Sequence, residues 1–326
     1  MEYRPFGRAD WHVAEIGYGM WGIGGGERGW QGAQESNRMA CLHMAVDLGC
    51  NFFDTAPVYG DGQSERLLGD LIKQRNERLF VSTKITPANR TWPSKRGDRF
   101  GEIFPADHMA RSIEKSLLNL GVQTIDVLHF HVWEDEWAKD PLWQKTVARW
   151  KDEKIVNMVG ISINRWETRN SITAIDTGLI DAVQVIYNIF DQDGEDQLFP
   201  LCREKNVAVI ARVPFDEGSL TGSLLRENHW PKNDWRHSYF VDENLLPTLE
   251  RVDRLRPLVP EGSDMATLAL RFILANPDVC VTIPGMRTLK HVDANISVSG
   301  MAPLPETLRT ALQLHRWDRT PTWWSQ

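Results

Sequence analysis

Four polar side chains of complementary chemistry follow three successive apolar segments of the chain. Asp54 and Tyr59 lie in FFDTAPVYG, Lys84 ends FVSTK, and His131 ends DVLHFH. A phenol, with a pKa of about 10, is a weak acid at neutral pH, but a nearby ammonium group lowers its pKa. A carboxylate would keep the lysine charged, and an imidazole can orient a carbonyl oxygen. The set predicts a proton donor for a carbonyl being reduced, or an acceptor for an alcohol being oxidised.

These residues must be positioned by the apolar segments that precede them. Eight short apolar segments alternate with about as many amphipathic helical segments, which is typical of parallel strands buried on both faces. The pattern predicts an α/β fold, a (β/α)8 TIM barrel in which the carboxyl ends of the strands meet at one mouth. The predicted strands are 15–20, 51–54, 79–83, 125–130, 157–161, 182–186, 207–211 and 279–283. The predicted helices are 37–48, 64–73, 107–120, 142–152, 166–177, 195–205, 244–258, 264–275, 289–297 and 305–313, with Ser36 as a cap before the first.

A doubly wound dinucleotide-binding sheet is the competing fold. Gly17-x-Gly19-x-x-Gly22 fits its glycine pattern formally. That motif needs a helix whose first turn cradles a pyrophosphate, and the segment IGGGERGWQG predicts a loop instead. The barrel is therefore the better prediction.

The chain is expected to be a single barrel domain over 1–326, with long loops at the mouth. Two insertions follow predicted strands, at 86–105 and 214–242, and a tail covers 314–326. Loops after strands lie at the carboxyl-terminal face of a barrel, where sites are built. We therefore expect both insertions to border the site.

Composition excludes several classes of protein. The chain has 326 residues, 42% hydrophobic and 25% charged, and a net charge of −7 without a basic cluster, which disfavours disorder and a nucleic-acid surface. No apolar run approaches the roughly 18 residues of a membrane span, and the start, MEYRPFGRAD, is unlike a signal peptide. Four scattered cysteines favour a reducing compartment, so we expect a cytoplasmic protein with a small-molecule substrate. No metal site is predicted, and the oligomeric state stays open.

Several stretches resemble the aldo-keto reductases. They are FFDTAPVYGDGQSERLLG, VSTK, LLNLGVQTIDVLHFHVW, VGISIN, AVQVIYN, VIARVP and VTIPGMRTLKHVDAN. The first is close to the family's run D-T-A-x-x-Y-G-x-S-E-x-x-L-G. The resemblance implies that Tyr59 is the general acid/base, with Asp54, Lys84 and His131 as its partners. His129 shares a strand face with His131, but His131 lies nearer the mouth and has the family's spacing.

The resemblance also implies a nicotinamide cofactor and the residues that hold it. The implied cofactor-binding residues are Ser162, Gln184, Arg212, Pro214, Gly218, Ser219, Leu220, Gly285, Arg287, His291 and Asn295. Arg212 would flank the nicotinamide, where many members carry tyrosine, and the loop after it would clamp the pyrophosphate. Arg287 is placed to meet a 2′-phosphate, so NADP(H) is favoured over NAD(H). The asparagine of the family's G-V-S-N-F run is displaced here to Asn164, whose role stays open.

The predicted substrate pocket is aromatic. The chain has 14 tryptophans, and Trp21, Trp92 and Trp133 fall in segments expected at the mouth. Aromatic walls suit rings or the apolar faces of sugars. The sequence does not name a substrate.

Two other functions compete with carbonyl reduction. A strand-end lysine can form a Schiff base, as in a barrel lyase, but that reaction needs a neutral amine and Asp54 would keep Lys84 charged. Potassium-channel β-subunits resemble the same family and act as nicotinamide-binding partner proteins. This chain starts almost at the predicted barrel, without an added regulatory segment, which disfavours that alternative.

Overall fold

The computed structural model describes residues 1–25 and 37–325. In these ranges eight parallel strands form one sheet whose spatial order is the order in the chain. Isolated parallel bridges from Ile16 to Thr282 and from Gly19 to Gly285 join the first strand to the last. The sheet thus curls towards closure, and the predicted (β/α)8 barrel is confirmed.

The sheet strands are close to the predicted segments. They are β3 (Tyr18–Gly19), β4 (Phe52–Asp54), β5 (Phe80–Ile85), β6 (Ile125–Phe130), β7 (Val156–Ser162), β8 (Ala182–Ile186), β9 (Ala208–Arg212) and β10 (Val279–Thr282). Every residue of β4, β5, β6 and β8 is buried. Burial on both faces explains why these segments are continuous apolar runs rather than alternating ones.

Helices follow most of the strands. They are α1 (Trp21–Gly24), α2 (Arg38–Asp47), α3 (Gln63–Gln74), α4 (Phe100–Ile103), α5 (Ala106–Leu120), α6 (Pro141–Asp152), α7 (Ile172–Asp176), α8 (Leu198–Lys205), α9 (Trp235–Tyr239), α10 (Asp242–Leu255), α11 (Met265–Leu274), α12 (Leu289–Ile296) and α13 (Glu306–Gln313). Within the described ranges none of them is long and apolar enough to cross a membrane. The cap predicted at Ser36 and most of the loop predicted at 23–32 lie outside the described residues.

A hairpin that precedes the barrel was not predicted. Its strands β1 (Tyr3–Phe6) and β2 (Ala9–Ala14) pair antiparallel around Gly7, whose φ of 55° is left-handed. Phe6 and Val13 pack in one buried cluster with Phe52, Phe80, Val127, Met158, Ala182, Ala208, Ile210, Val281 and Ile283. The hairpin therefore plugs the end of the barrel opposite the carboxyl ends of the strands.

The predicted helix at 166–177 is mostly absent. Only Ile172–Asp176 is α-helical, and the preceding residues form turns. Trp166 has a φ of 59°, a left-handed conformation that cannot continue a right-handed helix.

Candidate active site

Strand register brings three of the four predicted catalytic residues together. β4 pairs with β5 so that Asp54 lies beside Ser82, and β5 pairs with β6 so that Lys84 lies beside His129. His131 continues that alignment, since its backbone N–H donates to the Ile85 carbonyl at 3.1 Å. The carboxyl ends of three adjacent strands thus carry Asp54, Lys84 and His131 to one edge of the barrel.

Asp54 is the hub of the hydrogen bonds at this edge. Its Oδ2 accepts from Lys84 Nζ at 2.7 Å, and its Oδ1 accepts from Ser82 Oγ at 2.8 Å and from Gln184 Nε2 at 2.7 Å. The carboxylate is 3% exposed. Three donors therefore fix both oxygens of a buried anion, which satisfies a group that would otherwise be costly to bury.

Lys84 is a fully enclosed cation with fixed partners. Besides Asp54, its Nζ donates to the Thr55 carbonyl at 2.8 Å, and it lies 5.1 Å from the centre of the Tyr59 ring. Burial alone lowers the pKa of Lys84, but attraction to Asp54 and Tyr59 outweighs burial and raises the pKa above its ordinary value. The amine is therefore held charged.

The Tyr59 phenol experiences two opposing influences. Burial raises its pKa, the nearby Lys84 lowers it, and the net pKa is raised. The sequence-based expectation that Lys84 lowers the pKa holds for that contribution, but desolvation is the larger one. The phenol therefore stays protonated at neutral pH and can donate a proton.

Two glycines let the chain place Tyr59. A Cβ on Gly60, which has a φ of 64°, would lie 1.9 Å from the Gly24 carbonyl oxygen. A Cβ on Gly24 would lie 2.9 Å from the Tyr59 carbonyl carbon. Backbones that approach this closely exclude any side chain, so the segment after β3 and the turn after β4 are locked against each other.

The two histidines of β6 have different surroundings. His131 meets the Tyr59 ring edge-on at 6.3 Å between ring centres. Burial, reinforced by Lys84 and Arg212, holds the pKa of His131 well below its usual value, so its imidazole is neutral. Burial lowers the pKa of His129 to about 3, and His129 is fully buried against Gly160. His129 is thus a barrel-interior residue, and His131 is the one that borders the site.

Aromatic side chains surround the Tyr59–His131 edge. Trp21 lies 6.3 Å from Tyr59 and Trp92 lies 5.5 Å from His131, between ring centres. The ring centre of Trp235 lies 5.5 Å from that of Trp21 and extends this wall. Its position in the sequence did not distinguish it from the other tryptophans, of which the chain has 14 in all.

Trp133 does not line the pocket as predicted. It is completely buried and packs among core aromatic rings, namely Phe100, Phe130, Trp137 and Trp143. The chain turns after His131, and this turn directs Trp133 towards the surrounding helices. Its carbonyl accepts from Asn164 Nδ2 at 2.9 Å, so the displaced Asn164 ties two loops together.

The residues predicted to hold a nicotinamide lie beside this edge. Ser162 and Gln184 are neighbours across the β7–β8 register, and both are buried. Gln184 already donates to Asp54, a partnership that links the predicted carboxamide site to the ion pair. Arg212 donates to the Ile163 carbonyl at 3.0 Å. Its buried Nε has no partner among the described residues, which fits a site that would receive a polar ligand.

The charge at the end of β9 is partly desolvated. Burial, together with repulsion from Arg165, lowers the pKa of Arg212 to about 10. Arg165 is itself paired with Glu217 at 2.5 Å. Arg212 remains charged at neutral pH. An aromatic ring or an anion beside its guanidinium would stabilise this buried charge and offset part of the cost of its desolvation.

The loop after Arg212 has an unusual backbone. Val213, Asp216 and Glu217 have φ values of 56°, 43° and 57°, and Gly218 has a φ of 102°. Non-glycine residues rarely adopt this region unless their surroundings impose it. The loop carries four of the predicted pyrophosphate-clamp residues, Pro214, Gly218, Ser219 and Leu220.

The predicted adenosine residues lie in the loop before α12 and on α12 itself. Thr288 caps the helix by accepting from the His291 backbone N–H at 3.1 Å. The Arg287 stem packs at Gly22, where a Cβ would lie 3.0 Å from Arg287 Cγ. Gly285 bridges to Gly19, and Asn295 is buried one turn beyond His291. The structure therefore brings these residues to the mouth beside α1.

A polar cavity of about 260 Å³ lies beside the segment that follows Trp92. It is lined by Pro93, Ser94, Lys95, Arg96, Glu134, Glu167 and Pro321. Glu134 is 4% exposed and accepts from Ser94 Oγ at 2.8 Å, and burial raises the pKa of its carboxyl group. Residues of the insertion after β5 and Pro321 of the tail therefore line one cavity.

Two groups that bind Asp54 and Lys84 were not predicted from the sequence, namely the Ser82 hydroxyl and the Thr55 carbonyl. Ser82 lies two residues before Lys84, so period-two alternation places both on one face and was a usable signal. The Thr55 carbonyl could not be predicted in this way, because every residue has a backbone carbonyl and the residue type does not indicate which of them accepts a hydrogen bond.

Comparison with known proteins agrees with this geometry. The profile of the Aldo/keto reductase family matches residues 15–315. The NADH-specific methylglyoxal reductase of Escherichia coli is 27% identical over 91% of this chain and 93% of its own. A probable voltage-gated potassium channel subunit beta from Oryza sativa is 24% identical over 93% of both chains. An aldo-keto reductase of Bacillus halodurans shares the fold with a TM-score of 0.75 and 22% identity over the whole of both chains. With a strand-end ion pair beside a tyrosine and a family match over nearly its full length, the chain belongs to the aldo/keto reductase family of oxidoreductases that act on carbonyl and alcohol groups.

Proposed function

We propose that this protein reduces an aldehyde or ketone to an alcohol, or catalyses the reverse reaction, with NADPH as its cofactor and Tyr59 as the general acid. The observation that carries the proposal is the Lys84 ammonium, 2.7 Å from Asp54 and 5.1 Å from the Tyr59 ring. A buried cation beside a phenol favours loss of the phenolic proton as negative charge develops on the substrate oxygen.

Each of the four residues has a separate task in this proposal. Tyr59 donates its proton to the carbonyl oxygen, and Lys84 stabilises the phenolate that remains. Asp54 holds Lys84 charged and in place. Neutral His131, edge-on to Tyr59, orients the carbonyl oxygen without competing for the proton. A reduced nicotinamide, when bound, would supply the hydride for the carbonyl carbon.

The proposed cofactor contacts follow the strand ends around the barrel. Ser162 and Gln184 would hold the carboxamide, Arg212 would flank the ring, and the loop 214–220 would hold the pyrophosphate. Arg287 supports a preference for NADPH, because its guanidinium can grip a 2′-phosphate through two parallel hydrogen bonds. The Escherichia coli relative is NADH-specific, so membership of the family does not by itself set the preference, and we assign the preference of this chain to Arg287.

The substrate enters between Trp21 and Trp92, beside Tyr59 and His131. Two indole rings favour a flat or apolar carbonyl compound at the reacting end. The polar cavity at Ser94 and Glu134 lies next to this entrance and would favour hydroxyl groups at the far end of a longer substrate.

The test is a cofactor-consumption screen over aromatic aldehydes, aldoses, keto-sugars and polycyclic ketones. We expect turnover with NADPH on part of the panel. Borohydride treatment with substrate should leave Lys84 unmodified, because the charged amine is a poor nucleophile. A covalent Lys84 adduct would favour the Schiff-base lyase. Cofactor binding without turnover on any carbonyl would favour a regulatory subunit like the channel subunit relative.

A further inference from the structure

The tail that follows α13 inserts one arginine deep into the protein. Arg319 is 3% exposed on its side chain, although it lies seven residues from the carboxyl terminus. Its guanidinium lies between two indole rings, 4.6 Å from the centre of Trp166 and 4.7 Å from the centre of Trp317. Stacking on aromatic rings and a planar set of hydrogen-bond donors are properties of arginine that lysine does not share.

Arg319 joins two loops that follow adjacent strands. Its Nε donates to Asp191 Oδ1 at 3.1 Å in the loop after β8, and its Nη2 also binds Asp191. The same Nη2 donates at 2.7 Å to Asp216 Oδ1 in the loop after β9. Both carboxylates are almost fully buried, so each depends on Arg319 for charge compensation.

From these two carboxylates, hydrogen bonds continue to both ends of the loop after β9. Asp216 Oδ2 accepts from Ser219 Oγ at 2.7 Å. Asp191 binds Asn188 Nδ2 at 2.9 Å, and Asn188 donates at 3.1 Å to the Val213 carbonyl. The segment fixed in this way is the one with left-handed residues at 213 and 216–218. A backbone in that conformation persists only where its surroundings determine it.

We propose that Arg319 is a positioning residue that holds the loop 213–219 in its cofactor-binding conformation, so that the carboxyl-terminal tail sets the affinity for the dinucleotide. The inference rests on the proposed function, which places the pyrophosphate at this loop. Arg319 touches neither the reacting atoms nor Tyr59. Its removal should therefore weaken cofactor binding while the chemical step at saturating cofactor is retained.

The experiment measures NADPH binding by calorimetry and turnover at saturating NADPH for Arg319→Met. We expect the Kd for NADPH to rise about tenfold, a usual size for coupling between linked sites. We expect kcat at saturating NADPH and KM for the carbonyl substrate to change less than twofold. Arg316→Met is the matched control, because Arg316 lies in the same tail but pairs with Asp196 and Asp318 at the surface. Its Kd should stay within twofold of the wild type.

Asp216→Asn is a second variant that tests the same contact if Arg319→Met does not fold. It leaves Arg319 paired with Asp191, and we expect the same rise in Kd as for Arg319→Met. If both substitutions act through the same contact, the Kd of the double variant for NADPH should not exceed the higher of the two single-variant Kd values. A wild-type Kd in a folded Arg319→Met protein overturns the inference. If Arg319→Met does not fold, a wild-type Kd in folded Asp216→Asn overturns it. Wild-type protein that binds neither NADPH nor NADH overturns the proposed function instead.

Discussion

The strand ends that carry Asp54, Lys84 and His131 differ from the loop after Arg212 in what fixes them. The strand ends are held by sheet register and by hydrogen bonds between neighbouring strands, such as that of Ser82 to Asp54. The loop has no such ladder, has several left-handed residues and depends on an arginine from the far end of the chain. In the proposed function, the residues of the chemical step are therefore held by the sheet, whereas the loop proposed to bind the cofactor is held by contacts that can be changed separately.

The largest expected effect separates chemistry from binding. Tyr59→Phe should lower kcat by about 10³-fold, in the range of general acid–base catalysis, because the ring remains but the proton is lost. The Kd for NADPH should stay within twofold, as measured by calorimetry. Tyr3→Phe is the control, since its hydroxyl binds the Gly49 carbonyl in the hairpin region. Activity of Tyr59→Phe within a few-fold of wild type would remove Tyr59 from the role of acid.

The second prediction tests whether the ion pair supports both the fold and the chemistry. Lys84→Met leaves Asp54 buried without its cation and should cost about 3–5 kcal/mol of unfolding free energy in urea titrations. Alcohol oxidation uses the phenolate as base, and Lys84 lowers the pKa of Tyr59. The ascending limb of the pH–rate profile for oxidation, which follows the loss of the Tyr59 proton, should therefore move to higher pH in the variant.

Its control is Lys151→Met, which removes a partly exposed ion pair with Asp181. That change should cost at most about 1 kcal/mol. Equal losses of stability in the two variants would show that Lys84 has no special place in the fold.

The third prediction tests the cofactor side of the comparison. Arg287→Ala should raise the Kd for NADPH about tenfold and leave the Kd for NADH within twofold, because only NADPH carries the 2′-phosphate. Lys290→Ala, which removes a more exposed cation in the first turn of α12, should leave both values unchanged. Equal effects of Arg287→Ala on both cofactors would mean that Arg287 does not contact this phosphate.

The smallest functional effect is expected from the pocket wall. Trp92→Leu should raise KM for the carbonyl substrate a few-fold with little loss of stability, because Trp92 packs edge-on against His131. Trp133→Leu should leave KM unchanged and cost about 3 kcal/mol of unfolding free energy, because removal of a buried indole leaves a cavity. Steady-state kinetics and urea unfolding of both variants make the comparison. A raised KM without loss of stability in Trp133→Leu would restore it to the pocket.

The sequence supported the barrel because eight buried parallel strands need continuous apolar runs, which are visible without contacts. It did not reveal the hairpin plug, since Phe6 and Val13 are buried only by strands far along the chain. It also placed Trp133 in the pocket from its distance to His131, although two residues beyond a strand end suffice to reverse a side chain's direction. The division into one domain with two insertions stays a prediction.

By itself the sequence determined the residue types at the strand ends, the α/β alternation and, through them, the kind of chemistry on offer. Only the tertiary structure decided that Gln184 and Ser82 share Asp54 with Lys84, that desolvation outweighs Lys84 at Tyr59, and that Arg319 reaches Asp216. The physical reason is the same in each case. Residue identity fixes which charges and hydrogen-bonding groups exist, but their pKa values and partners depend on burial and on neighbours distant in sequence.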